Sequence, residues 1–548
     1  MAKANFKPLL FTTTMRNPER LKFMLFVLAK FKGQILNDDL ATTIVGETIR
    51  YGLYRPTKKS EPINQKWSTT PNGVFSEYIL NDEEVAFMLN NNPQKHKEAG
   101  FGWGFPSRFA TIYDLTKELG LAYFTPQKPI IISELGEHLL KSINVNVSGD
   151  DILYEIVNPE YEQQVFLQAM AKSQRKNPFV RVLNDNIPLI LLLQTIKLLN
   201  ADLKQNGAGI SRKELPLLIF WKDNNANALY NRIVELRKLW NYNPSDEVII
   251  DICINEIMEG QYKKFDSQSI MVDYVDEFIR KMRITGLISL RGAGRFIDIN
   301  RNELGKVNYV IRQYSNYQHF TDEIAYFNYI ASLDKNLIKI KAKPITTTNA
   351  EQLLKNWLNQ YAWETIKKEL TILSSGGTSK DAVLKFIAAP TRLEFLTALA
   401  IKTKIPNVRV LPNYSCDDEG LPTSTAGGNK GDIECYEQQK GILVEVTMAT
   451  GRQQTMMEVW PIERHLTDFQ KNKRAQCVFI APSIFSDSMR QIQFVSYLSN
   501  GEKQIRPYAI TEFIDYLENS QVLFSNNYPT GHNFNLDVAA ASINQYGK

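Results

Sequence analysis

Asp432 follows a glycine-rich loop, Ala426-Gly427-Gly428-Asn429-Lys430-Gly431, and Glu445 stands thirteen residues further on, inside the apolar run Gly441-Ile442-Leu443-Val444-Glu445-Val446-Thr447. One acid entering a strand and a second inside the next lets two carboxylates hold a divalent metal beside a phosphate. A phosphodiester is an anion and repels hydroxide. Hard Mg²⁺, bound by one or two carboxylates and keeping several waters, neutralises that charge and supplies an activated water. Glycines beside Asp432 let backbone approach a substrate with no side chain between. The chemistry these residues can do is metal-dependent hydrolysis of nucleic acid, with Mn²⁺ the expected substitute for Mg²⁺. The same spacing also fits an edge-strand acid facing water, so the neighbourhood has to decide.

The elements around the pair are legible. Residues 390–400 read as a helix with Pro390 in its first turn, Leu393, Leu396 and Ala400 on a buried stripe, and Glu394 beside it. Residues 457–466, carrying Glu458 and His465, lead into another helix, and Gln476-Cys477-Val478-Phe479-Ile480-Ala481-Pro482 reads as a third buried strand. The predicted order is helix, strand, strand, helix, strand.

The matching pieces are Arg392-Leu393-Glu394-Phe395-Leu396-Thr397, Gly428-Asn429-Lys430-Gly431-Asp432-Ile433-Glu434, Val444-Glu445-Val446-Thr447, Glu458 with Pro461 and Arg464-His465, and Phe479-Ile480-Ala481-Pro482. Across these, about ninety residues in one order, the region resembles the cleavage domain of the AlwI-like Type IIS restriction endonucleases. That group also holds the PleI-, MlyI- and BstNBI-type enzymes and natural strand-nicking relatives. The resemblance implies a PD-(D/E)xK-type nuclease fold with metal ligation by Asp432 and Glu445 and help from Glu394. It implies that Glu458 and His465 complete the catalytic set. It extends more weakly to Thr14-Met15-Arg16-Asn17-Pro18-Glu19-Arg20 and Val165-Phe166-Leu167-Gln168, implying an N-terminal recognition region of two subdomains.

Two positions depart from the wider nuclease pattern. Gly431 stands where Pro is usual, and Thr447 where Lys is usual. Without that Lys another group must orient or deprotonate the water, and His465, Glu458 and Lys430 are the candidates. His465 also reads as an ordinary packed or capping histidine, and Lys430 as a phosphate contact.

At 548 residues the chain should divide into three or four units, and 43% apolar with 11% aromatic residues is ample for burial. The net charge of +5 and pI near 8.7 suit a nucleic-acid partner without requiring one. Residues 1–60 carry eleven Lys or Arg against four Asp or Glu, so the basic excess is concentrated there. Cys253, Cys416, Cys435 and Cys477 show neither zinc-finger nor disulfide spacing, which points to a reducing, cytoplasmic, bacterial setting. The greasiest stretch, 187–199, is interrupted by Gln194 and Lys197 and reads as a core helix, so no membrane association is expected.

Upstream, two places carry a winged-helix pattern. In the first, 107–119 is a helix with Arg108 and Lys117 exposed, followed by a hairpin of 122–124 and 130–132. In the second, 272–285 is a helix closed by Gly286, followed by a hairpin of 287–290 and 296–299. Such units can present a helix to the major groove and a wing to the backbone, with Arg291 and Arg295 at the second tip. They also serve as protein-interaction modules. Arg16, Arg20, Arg108, Lys117, Arg291, Arg295 and Lys430 are the DNA-binding candidates. Residues 322–333 and 350–370 read as amphipathic helices, and Ser374-Ser375-Gly376-Gly377-Thr378-Ser379-Lys380 as a hinge. That stretch has the wrong order for a P-loop, and Gly292-Ala293-Gly294 lacks the context of a dinucleotide fingerprint.

The expected architecture is multidomain α+β. A largely helical recognition half has two winged-helix-like subdomains, 1–165 and 166–305. A helical linker, 306–380, leads to an α/β nuclease domain, 381–548. The expected function is recognition of a short asymmetric site in double-stranded DNA and Mg²⁺-dependent cleavage to one side. A transient homodimer or a small catalytic subunit would cut the second strand, and a cognate DNA methyltransferase would be the functional partner. The open alternatives are a nicking enzyme or one subunit of a heterodimeric restriction enzyme, a structure-selective repair nuclease, and a non-catalytic winged-helix regulator.

Overall fold

Glycine-punctuated hairpins alternate with helices through the first half, and a five-stranded sheet organises the second. The computed structural model describes residues 18–524, apart from 69, 71, 72, 98, 150, 181, 261–265, 428, 429, 438, 439, 472 and 473. The helix Phe105–Glu118 leads into strands β1 (Ala122–Tyr123) and β2 (Ile131–Ile132), which pair antiparallel. A second hairpin, absent from the sequence reading, follows: β3 (Ile143–Ser148) pairs with β4 (Asp151–Ile156). The apolar helix Pro188–Ala201 is buried along most of its length, as its composition predicts.

Lys117 is not the exposed cation expected from its helix. Its ammonium lies 3.3 Å from Glu323 Oε2 and against the rings of Tyr123 and Phe179, so it pins the helix Glu323–Ala331 in place. Arg108 is half-buried and donates to Gln94 Oε1.

The second hairpin region forms a three-stranded antiparallel sheet: β5 (Ile210–Ser211) and β6 (Ile288–Arg291) flank β7 (Phe296–Ile299). The preceding helix runs Tyr274–Arg283, two residues shorter at each end than predicted, with a π-helical turn, Ser269–Asp273, before it. The tip of β6–β7 is not free. A β-carbon on Gly294, which has φ +81°, would lie 3.0 Å from Val383 and 3.3 Å from the Ala382 carbonyl.

The single helix expected over 350–370 is two, Thr347–Leu358 and Trp363–Ser374. Tyr361 causes the break: its ring stacks on Trp357 at 5.7 Å and its hydroxyl donates to Asp381 at 2.9 Å. The stretch expected to be a hinge is therefore tied down just beyond its end, and Ser379 within it is buried.

The second half is built on five strands in the order β14-β13-β12-β11-β8. They are β8 (Arg409–Pro412), β11 (Ile433–Glu437), β12 (Lys440–Val446), β13 (Ala475–Ala481) and β14 (Ile505–Ala509), with a separate hairpin of β9 (Tyr414–Cys416) and β10 (Pro422–Ala426). β8, β11 and β12 run antiparallel to one another, and β12, β13 and β14 run parallel. β12 and β13 read as nearly continuous apolar runs because both faces are covered. The helices Ala389–Lys404 and Ile510–Asn519 pack on one face, and Val459–Gln470 and Ser486–Leu498 on the other. The larger apolar core takes residues from both halves of the chain, from Leu21 to Leu523. The smaller one, with Leu443, Ile462 and Phe479, fills the second sheet face. Among the described residues no helix is long and apolar enough to cross a membrane.

Candidate active site

Register brings the two acids together. Ile433 pairs with Val444 across β11 and β12, so the next opposed positions are Asp432 and Glu445, and directly opposed residues of an antiparallel pair share a face. Asp432 Oδ2 accepts from the Val446 amide at 2.8 Å. Glu445 Oε1 lies 3.0 Å from Nδ1 of His465, which projects from the helix Val459–Gln470. Asn413 holds the approach to the strand, donating its side-chain amide to the Gly431 carbonyl at 2.7 Å and its backbone amide to the Asp432 carbonyl at 2.8 Å.

Glu394 enters from the opposite layer. Its helix, Ala389–Lys404, starts with a proline in its first turn and is buried continuously from Thr391 to Ile401. Glu394 Oε2 accepts from the Ala426 amide at 3.2 Å, which ties the last residue of β10, and the start of the glycine-rich loop, to this helix. Glu458 sits between the helices Gly451–Met457 and Val459–Gln470, and Thr447 Oγ1 donates to its Oε1 at 2.9 Å. The position where Lys is usual thus carries a hydroxyl committed to a carboxylate.

Burial and mutual repulsion dominate the electrostatics. Burial pushes Glu394 well above the carboxylate range, and the charge of Glu445 adds to it. Asp432 is also raised well above its ordinary value, by burial first and then by Glu394, Glu445 and Glu458. Glu445 is raised by burial, against hydrogen bonds from His465 and Asp432 that favour its charged form. Glu458 is pushed up to about 7, chiefly by burial. Carboxyl groups this close stay together only with a proton or a cation among them.

Asp432, Glu445 and Glu394 are the hard oxygen donors that could serve a divalent metal here, and a cation would relieve the repulsion that now raises all three. Among the described residues no three His, Cys, Asp or Glu side chains close into a ready cation cage. The fit rests instead on the Asp432–Glu445 contact and the charge all three share.

The sequence-expected DNA contacts are scattered. Arg16 lies outside the described residues. Arg20 is half-buried against Gly73, burial lowers its pKa, and its charge helps burial to lower that of Arg55. Arg291 is not a free wing-tip cation: it donates to Asp298 Oδ2, Asp418 Oδ2 and the Ile299 carbonyl, each at 2.8 Å, and to Glu419. Arg295 and Lys430 are exposed, Lys430 in the loop beside Asp432.

Sequence reasoning missed the first-half residues at the rim of this site. On the β3–β4 hairpin, Asp151 pairs with Arg452 at 2.7 Å, the Tyr154 backbone bonds to Gln453, and Glu155 adds to the charge around Glu458. The signal was present, since 143–148 alternates apolar and polar residues and Gly149 separates it from the β-prone run 152–156.

A model of the AlwI restriction endonuclease family matches residues 117–376 and 339–516. The chain belongs to the AlwI restriction endonuclease family. As an AlwI-family restriction endonuclease it is a hydrolase that cleaves DNA. Among solved structures it matches the small subunit (R.BspD6I2) of the heterodimeric restriction endonuclease R.BspD6I, with 23% identity over 29% of this chain and 82% of that one, at a TM-score of 0.24. Restriction endonuclease FokI matches at 11% identity over 95% of this chain and 97% of that one, TM-score 0.24. FokI bound to DNA matches at 10% over 90% and 96%, TM-score 0.23. No curated protein sequence matches this AlwI-family chain.

Proposed function

We propose that this restriction endonuclease is a Type IIS enzyme of the PD-(D/E)xK type. It reads a short asymmetric duplex sequence with its first half and, with Mg²⁺, hydrolyses a phosphodiester a fixed distance to one side. The observation that carries the reading is the register setting Asp432 opposite Glu445, with Glu394 within electrostatic reach.

Asp432, Glu445 and Glu394 would hold Mg²⁺, or Mn²⁺ in its place, which neutralises the phosphodiester charge and lowers the pKa of the attacking water. Glu458, with its carboxyl near 7, takes up or releases a proton at neutral pH, where a general base is most effective. Thr447 orients Glu458 by donating to its Oε1. His465 steadies Glu445 through Nδ1. Lys430 offers an exposed ammonium to the backbone of the cut strand, and Arg295 is a second exposed cation for the duplex.

One such site serves one strand, because the two scissile phosphates have opposite polarity and lie apart. A double-strand cut requires a second catalytic domain, from a transient second copy or a small catalytic subunit. Without it the product is a nick. The setting we infer is the bacterial cytoplasm, beside a cognate DNA methyltransferase that protects the host's own sites. Plasmid digestion with Mg²⁺ and run-off sequencing of both strands tests the reading. Breaks should map to one motif at one distance, and breaks dispersed over unrelated sequence or confined to branched DNA would contradict it.

A further inference from the structure

The β6–β7 hairpin, which the sequence offers as a DNA-reading wing, is fastened to the nuclease half by a charge network with a buried pair, Arg283 and Asp417, at its centre. Arg283, at the end of the helix before the hairpin, donates to Asp417 Oδ2 at 3.0 Å and to the Pro422 carbonyl. Asp417 is fully buried and Arg283 nearly so. Ser289 Oγ donates to Asp418 Oδ1 at 2.6 Å, and Arg291 spans Asp418 and Glu419. Asn300 Oδ1 accepts from the Asp418 amide at 3.2 Å. From the linker, Trp357 Nε1 donates to the Glu419 carbonyl at 2.8 Å.

The acidic partners lie between β9 and β10, and β10 runs from Pro422 to Ala426, the residue whose amide is held by Glu394. Three residues, Thr423 to Thr425, therefore separate the network from the catalytic loop. A second junction, Asp276 paired with both Arg212 and Lys385, closes the same seam.

We propose that the clamp of Arg283 and Arg291 on Asp417, Asp418 and Glu419 fixes the distance between the recognised sequence and the bond that is cut. This rests on the Type IIS reading above. One nucleotide along a strand occupies about 3.4 Å of duplex axis, so a reader and cutter joined by a free tether would spread breaks over several bonds. A guanidinium bridging several fixed oxygens, Arg283 on buried Asp417 and the Pro422 carbonyl and Arg291 on Asp298, Asp418 and Glu419, allows few geometries, which suits a spacer that must hold to within one nucleotide. A buried ion pair is better at selecting one arrangement than at adding stability. These are positioning residues that act through β10 and Glu394.

The test is run-off sequencing of both strands for the full chain and for Arg291→Lys, Asp418→Asn and Glu419→Gln. Arg291→Lys keeps the charge and loses the fork, and Glu419 is the most exposed carboxylate of the clamp, so these variants keep the fold if Asp418→Asn does not. In the variants the share of breaks at the wild-type bond should fall by roughly half, the remainder moving one or two nucleotides at about 3.4 Å each, with the motif unchanged. A stability role alone would lower total cutting and leave the position fixed. Variants that cut only the wild-type bond overturn the clamp alone. A wild-type enzyme with no fixed distance overturns the Type IIS reading, and the clamp's role with it.

Discussion

Gly431 lies against Glu445: a β-carbon built on Gly431 would stand 2.7 Å from Glu445 Oε1 and 2.4 Å from Leu443 Cδ1. The oxygen touched is the one facing His465 Nδ1. This gives a physical reason for glycine where related nucleases carry proline, since any side chain here would push on the carboxylate.

Gly431→Ala should displace Glu445 and slow cleavage on the order of 100-fold, as misplacements near 1 Å do in catalytic sites. DNA affinity should be unchanged. Single-turnover rates and gel-shift titration on the same preparation check this, and a weakened affinity with normal cleavage would contradict it.

Glu458 sets a pH dependence. Its carboxyl is raised from the ordinary range to about 7, so the deprotonated form needed by a base fills as pH rises through 7. Single-turnover cleavage should climb between about pH 6 and 8, and Glu458→Gln should remove that limb and about 10²-fold or more of the rate. A profile identical in shape for both proteins would count against Glu458 as the base.

Asp417 sets a different one, in stability. Burial raises its pKa to about 6 in spite of Arg283. A raised acid binds its proton more tightly when folded, so its contribution is fully present below about pH 4 and lost as pH rises through 6. Wild type should lose on the order of 2–3 kcal/mol relative to Asp417→Asn across that window. Denaturant melts at pH 4, 5, 6 and 7 measure it, and parallel curves would refute it.

The elements that carry the candidate site were legible because their signals are local. A proline in the first turn marks the Glu394 helix, apolar runs mark β12 and β13, and a short glycine loop between acids marks the turn into β11. Lys117 and Arg291 were not legible as paired groups, because their partners Glu323 and Asp418 are more than a hundred residues away. The break at 359–362 was hidden because amphipathic periodicity continues through it, while the cause, Tyr361 bonding Asp381, is tertiary. The β3–β4 hairpin carried a readable alternation, but its place at the rim of the site follows only from packing against the helix Gly451–Met457.

Whether Asp432 and Glu445 act together on one metal is decided by the rate of Mg²⁺-dependent plasmid cleavage by wild type, Asp432→Asn and Glu445→Gln, measured beside DNA binding by the same proteins. Each substitution keeps the side-chain volume and removes one negative charge from the pair. Cleavage should fall about 10³-fold or more with binding retained. Cleavage by either variant within about tenfold of wild type would contradict it.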